Sequence, residues 1–124
     1  RGKLLANILA VDDSEPMRKM VELVLKSAGH VVALATDGAD GLQKFQQSVF
    51  DLIITDINMP NMGGLEFIRK VRSIDQQIPI LVLTTEFDPR IQQRGQEAGA
   101  NGWVVKPFKP APFLDMVQQI LSAR

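Results

Sequence analysis

Asp51-Leu52-Ile53-Ile54-Thr55-Asp56-Ile57-Asn58-Met59-Pro60 sets a short, mostly β-branched run directly before an acid, and an Asn-Met-Gly-Gly turn follows the proline. A run this brief and this continuous reads as a strand covered on both faces, as in a parallel sheet. Asp56 then falls at the carboxyl end of a buried strand, the edge at which open α/β sheets place their chemistry.

Four further runs have the same character: Asn7-Ile-Leu-Ala-Val11, Val31-Val-Ala-Leu-Ala35, Ile80-Leu-Val-Leu83 and Gly102-Trp-Val-Val105. Longer amphipathic segments separate them. Met17, Met20, Val21, Val24, Leu25 and Ala28 recur at the spacing of one helix face, with Ser14 placed to cap its start and Gly29 to stop it. Leu42 and Phe45 mark a second helix after Asp37-Gly38, and Leu65, Phe67, Ile68 and Val71 a third that closes before Pro79. The fourth, after Asp88-Pro89, is oddly polar: only Ile91, Gly95 and Ala98 are available to a core. The last starts near Pro110 to Pro112 and carries Phe113, Leu114, Val117, Ile120 and Leu121. Strand and helix alternate five times, which predicts a doubly wound α/β fold with a five-stranded parallel sheet.

The chain has 124 residues, expected to form one domain over 1–124 that buries roughly two-thirds of its unfolded surface. Fourteen basic and 14 acidic side chains cancel, so no global field draws it to nucleic acid or anionic membrane. The absence of cysteine excludes disulfides and thiolate metal sites, in keeping with a cytoplasmic location. No apolar run approaches the ~20 residues of a membrane span.

The strand ends deliver a constellation. The first gives Asp12 and Asp13, the third Asp56, the fourth Thr84 and Thr85, and the fifth Lys106 before Pro107. Each has an ordinary use alone: Asp12-Asp13 as helix caps, Asp56 as the opening of a turn, Lys106 as a solvated loop lysine, Thr84 as a strand-end hydroxyl. Together on one edge they suggest chemistry. Three close carboxylates repel, Lys106 offsets part of that, and Mg²⁺ suits a site of a few carboxylates, waters and a phosphoryl oxygen. An adjacent carboxylate can then act as nucleophile and form an aspartyl phosphate, with Thr84 and Lys106 donating hydrogen bonds to the transferred group.

Val11-Asp-Asp-Ser14, Asp56-Ile-Asn-Met-Pro-Asn-Met62, Gly64-Leu-Glu66, Thr84-Thr-Glu86, Ala98-Gly-Ala100 and Gly102-Trp-Val-Val-Lys-Pro-Phe108 carry a further reading. Over essentially its whole length the chain resembles response-regulator receiver domains, most closely the CheY-like ones of chemotaxis. The resemblance implies a flavodoxin-like (βα)5 fold with strand order 2-1-3-4-5. It implies that Asp56 accepts a phosphoryl group from a CheA-like sensor histidine kinase. Asp13, Asp56 and the backbone carbonyl of Asn58 would bind Mg²⁺, with Asp12 reaching it through water. Thr84 is similar to the family's switch hydroxyl and Lys106 to its lysine, with the Lys106-Pro107 bond expected to be cis. Trp103 stands where the family has an aromatic switch, which would turn inward as Thr84 moves and alter the face of the fourth helix, fifth strand and fifth helix. Asn58 and Glu86 flank the path of water to the acyl phosphate, so a short-lived phosphorylated state is expected.

Two positions depart from the family pattern: Gly63 replaces the usual Asp, making the loop after Asp56 more permissive, and Thr85 replaces Ala or Gly, narrowing access to Asp56. His30, the only histidine, reads as a surface turn residue rather than a phosphorelay site. With no output domain after Arg124, a monomer acting by reversible protein contact is expected, the flagellar motor switch being the leading target. A receiver excised from a larger regulator, a phosphate sink or a docking module would share these features. A haloacid-dehalogenase-like phosphatase would want an acid where Asn58 stands, and a flavin binder a Gly-rich loop where Asp12 and Asp13 stand. Neither fits, so no enzymatic activity is expected beyond self-catalysed phosphotransfer and dephosphorylation.

Overall fold

A computed structural model describes residues 3–123. The elements run β1 (Asn7–Val11), α1 (Glu15–Ser27), β2 (Val31–Ala35), α2 (Gly38–Gln47), β3 (Leu52–Thr55), α3 (Gly64–Ile74), β4 (Ile80–Thr84), α4 (Pro89–Ala98), β5 (Gly102–Val105) and α5 (Pro110–Ser122). The strands form one parallel sheet ordered β2-β1-β3-β4-β5, as the resemblance implies. Among the described residues no helix is long and apolar enough to cross a membrane.

The continuous apolar strands follow from alternation across a sheet covered on both sides. Ile8, Ala10, Leu52, Ile54, Leu81 and Leu83 join a core with Val21 and Leu25 of α1 and Phe113, Val117 and Leu121 of α5. Leu9, Val11, Ile53, Ile80 and Val82 point the other way, onto Phe45 of α2, Phe67, Ile68 and Val71 of α3, and Ala98 of α4. Each fully buried Leu, Ile or Phe stabilises the fold by roughly 1.5–3 kcal/mol before entropy is charged.

Boundaries follow local chemistry. Ser14 Oγ accepts the Met17 N–H at 3.4 Å and opens α1. At its end Gly29 takes φ +94°, with Gly29 N–H on the Lys26 carbonyl and His30 N–H on that of Leu25, a Schellman closure that favours glycine. Asp37 and Asp88 cap α2 and α4 through the N–H groups of Asp40 and Arg90. β4 runs one residue beyond the expected run because Thr84 still pairs with Val105. Met20 is a correction: it is 51% exposed, lying on the shoulder of the α1 stripe about 100° from Val21.

α4 is as weakly buried as its composition suggests, with only Gly95 and Ala98 buried and Ile91 half-buried. Its carboxyl end is nevertheless clamped. The Arg72 guanidinium donates to the carbonyls of Gly99 and Ile78, at 2.8 and 2.6 Å, and to Asn101 Oδ1, tying α3, β4 and the end of α4 together.

His30 departs from expectation. It is only 4% exposed, and its Nδ1 accepts the Ala6 N–H at 3.1 Å while the adjacent Val31 N–H bonds the Ala6 carbonyl. Burial lowers its pKa below the ordinary value, and protonating Nδ1 would set a donor against the Ala6 donor. As pH falls below about 6.5 the unfolded chain protonates first. His30 therefore contributes stability that is present above that value and lost as pH falls through the lower folded one. The free energy of unfolding in urea is expected to decline from pH 7 to pH 5 by up to about 1.4 kcal/mol per pH unit from this residue. His30→Asn, which keeps an acceptor but does not titrate, should flatten that slope; an unchanged slope would show that His30 is not its source.

Candidate functional site

Of the residues singled out at the strand ends, Asp12, Asp13, Asp56 and Lys106 converge, and the backbone explains how. Asp12 and Asp56 each follow the last residue of a strand while their N–H groups still extend the ladder, Asp12 to the Ala35 carbonyl and Asp56 to that of Val11. Lys106 does the same one residue past β5, donating to the Thr84 carbonyl at 2.8 Å. Three reactive side chains are thus fixed on sheet backbone rather than on free loops. The Lys106-Pro107 bond is cis.

Lys106 Nζ lies 2.7 Å from Asp12 Oδ2 and 2.9 Å from Asp56 Oδ2. The other oxygens are also engaged: Asp12 Oδ1 accepts the Ser14 N–H at 2.9 Å and Asp56 Oδ1 the Ile57 N–H at 2.6 Å. Asp12 thus both shapes the turn into α1 and lines the pocket. Burial disfavours the Lys106 ammonium, yet hydrogen bonds to Asp12 and Asp56, and their charge, outweigh it and raise its pKa. The lysine stays charged at neutral pH, and its stabilising contribution is lost only as pH rises through that raised value.

Asp13 is exposed, and among the described residues it has no hydrogen-bond or ion-pair partner. Ligand oxygens of Asp12, Asp13 and Asp56 all lie within 4.8 Å of one another. Two carboxylates at that separation repel by about 3 kcal/mol at an effective dielectric of 20. Only Lys106 is ion-paired with the three carboxylates among the described residues, so the group keeps an excess of negative charge, all hard oxygen donors, with one acid open to water. That donor set fits a hard divalent cation which keeps part of its water shell.

Thr84 is fully buried, and its Oγ1 accepts the Glu86 N–H at 3.2 Å. The Glu86 carbonyl accepts the indole N–H of Trp103 at 3.1 Å. Thr85 is exposed directly after β4, while Asn58 is exposed and Glu86 half-buried in the loops leaving β3 and β4.

The loop after Asp56 is held without a side chain at position 63. Gly63 has φ −75° and ψ 172°, extended backbone open to any residue. Order comes instead from Gly64 N–H to the Ile57 carbonyl, Gly38 N–H to that of Met62, and Asn61 Nδ2 to Asp37 Oδ2 at 2.7 Å. Asn61 takes φ +66°, which Asn tolerates better than most residues. The glycine this loop requires is Gly64, where a Cβ would run into the Asp56 carbonyl oxygen and come within 2.8 Å of Ile57 Cα.

Arg18 was not anticipated. Its Nη1 donates to the Asp12 carbonyl at 2.7 Å, bracing the backbone between the two N-terminal acids. The available signal was a cation adjoining the apolar stripe of α1, six residues after Asp12.

The electrostatics predict opposite effects for two substitutions when no divalent cation is present. Lys106→Met should lower stability by about 3 kcal/mol, since two buried carboxylates lose the cation between them. Asp13→Asn should raise the thermal midpoint by roughly 2–6 °C through relief of repulsion. Calorimetry in chelator checks both, and a lowered midpoint for Asp13→Asn would contradict the charge accounting.

Residues 8–118 match the family model described as the response regulator receiver domain. Among solved structures, the chemotaxis protein CheY4 of Vibrio cholerae is 47% identical, with a TM-score of 0.89 over 94% of this chain and 99% of that one. Among curated relatives, the probable transcriptional regulator ycf27 of Guillardia theta is 36% identical over 92% of this chain and 44% of its own length. The response regulator ArlR of Staphylococcus aureus is 35% identical over 94% of this chain and 53% of its own. The chain thus spans about half the length of the curated relatives it matches. Five parallel strands in order 2-1-3-4-5, a lysine joined to two strand-end acids and these likenesses agree: the chain belongs to the receiver-domain family of two-component response regulators, in its CheY-like form.

Proposed function

We propose that Asp56 is the phosphoacceptor of a signalling receiver. The observation that carries this is the Lys106 ammonium bonded to both Asp56 and Asp12, beside Asp13, which has no partner among the described residues. A carboxylate oxygen of Asp56 attacks the phosphorus of a phosphohistidine on a sensor histidine kinase. The O–P bond forms as the P–N bond breaks, and the imidazole leaves with the kinase. Lys106 turns its ammonium to the transferred group, and the Thr84 hydroxyl donates to it, releasing the Glu86 N–H.

Asp13, Asp56 and the Asn58 carbonyl would hold Mg²⁺, with Asp12 acting through water. When bound, the ion supplies positive charge to the phosphoryl oxygens. Asn58 and Glu86 leave the acyl phosphate open to water, so the phosphorylated state is short-lived and the chain has no enzymatic role beyond its own phosphorylation and dephosphorylation. Movement of Thr84 and Trp103 alters the α4–β5–α5 face, which carries the output.

We read the chain as one domain over 1–124, a cytoplasmic monomer of chemotaxis that receives phosphate from a CheA-like kinase and acts on the flagellar motor switch. The likeness to CheY4 across nearly all of that protein supports this. The second reading, the receiver portion of a longer regulator, is favoured by relatives about twice as long. The size of the full translated product separates the two.

Incubation with a small acyl phosphate and Mg²⁺, followed by intact mass, should show gain of one phosphoryl group. The gain should vanish in Asp56→Asn and in chelator. Equal labelling of Asp56→Asn would overturn the assignment, and a phosphorylated half-life of many hours would contradict the roles given to Asn58 and Glu86.

A further inference from the structure

Trp103 is the only tryptophan of the chain, and its ring packs half-buried against the core on the α4 side of the sheet. What it meets on α4 is a glycine. A Cβ built on Gly95 would stand 2.5 Å from Trp103 Cζ3, 3.3 Å from Cε3 and 3.5 Å from Cη2. Gly95 is buried in the interior of a ten-residue helix, where glycine is less stable than alanine. Positive φ does not explain it, since among the described residues the glycines with positive φ are Gly29 and Gly99. The remaining reason is room: residue 95 is reduced to a hydrogen where the six-membered ring of the indole sits.

The seat is wired to Thr84, the last residue of β4, through one residue. Glu86 gives its N–H to Thr84 Oγ1 and its carbonyl to the Trp103 indole, and its side-chain Oε1 accepts the N–H of Asp88, the cap of α4. Thr84, Glu86, Trp103 and the start of α4 form one hydrogen-bonded chain, and Gly95 closes it from the helix side.

We propose that Gly95 is the positioning residue of the Trp103 switch: the notch it leaves in α4 seats the indole, and a side chain there evicts the ring and uncouples Thr84 from the α4–β5–α5 face. This rests on the reading of Trp103 as a switch, and it adds what sets the position of the ring. Gly95 lies outside the acid pocket, so phosphoryl uptake at Asp56 does not depend on it.

The test is Gly95→Ala, read by the single tryptophan. Its emission should move to longer wavelength and its acrylamide quenching constant should rise at least twofold. The emission change that follows phosphorylation should be lost, while intact mass still shows one phosphoryl group. Ala98→Gly, which removes atoms from the same buried helix face, should keep wild-type emission. Urea unfolding gives a second readout: Gly95→Ala should lower the midpoint in the wild-type background and raise it in Trp103→Ala, where the notch is empty and only helix preference remains. Unchanged emission, an undiminished response to phosphorylation, or a raised midpoint in both backgrounds would each overturn the proposal. Failure of Asp56 to take phosphate would sink the underlying reading, while the emission and unfolding comparisons would still decide whether the seat exists.

Discussion

The Lys106 ammonium, held between Asp12 and Asp56, is the interaction on which the pocket depends. It joins residues 94 and 50 positions apart in sequence, and they meet only when the whole parallel sheet is assembled in order. Lys106 follows β5, whereas its partners follow β1 and β3 on the far side of β4. Strands stand about 4.8 Å apart, so the reach needs a long, flexible stem ending in a compact charge. The ladder hydrogen bonds at Asp12, Asp56 and Lys106 fix where each stem begins.

That arrangement runs against local stability. Two carboxylates are buried, a third is exposed beside them with no partner among the described residues, and among those residues Lys106 alone forms ion pairs with the group. Elsewhere apolar layers cover both faces of the sheet, and side chains cap α1, α2 and α4. Functional sites are where local stability is given up, and the repulsion that weakens the fold is the same charge that would attract a divalent cation.

The architecture was legible because buried parallel strands leave few readings: Leu52-Ile-Ile-Thr55 and Ile80-Leu-Val-Leu83 are too short for helices and too apolar for an exposed sheet. The site was legible for a related reason, since a polar residue straight after such a run marks the sheet edge. What escaped depends on tertiary geometry. His30 follows a Gly turn that reads as surface, yet the Schellman closure of α1 folds it under the start of β1. Arg18 and Met20 both flank the helix stripe, and only the packing shows that Arg18 reaches the Asp12 carbonyl while Met20 faces water. Gly63 drew attention as a departure, but the glycine the loop cannot replace is Gly64, because its need arises from the approach of the Asp56 carbonyl rather than from its own torsion angles.

α4 gathers these threads. With little apolar surface of its own, it is held at its carboxyl end by Arg72, whose guanidinium grips the Gly99 carbonyl, and at its start by the Asp88 cap and the Glu86 loop. Several hydrogen bonds from one planar, partly buried cation make a stiff anchor, whereas the start is held by the Asp88–Arg90 ion pair, which is exposed and screened by water. A helix fixed at one end and loosely held at the other moves by swinging about the fixed end. Its loose end adjoins the loop that joins Thr84 to Trp103. On the proposed reading, a displacement of the Thr84 hydroxyl would act where the helix resists least, and the rest of the sheet need not move.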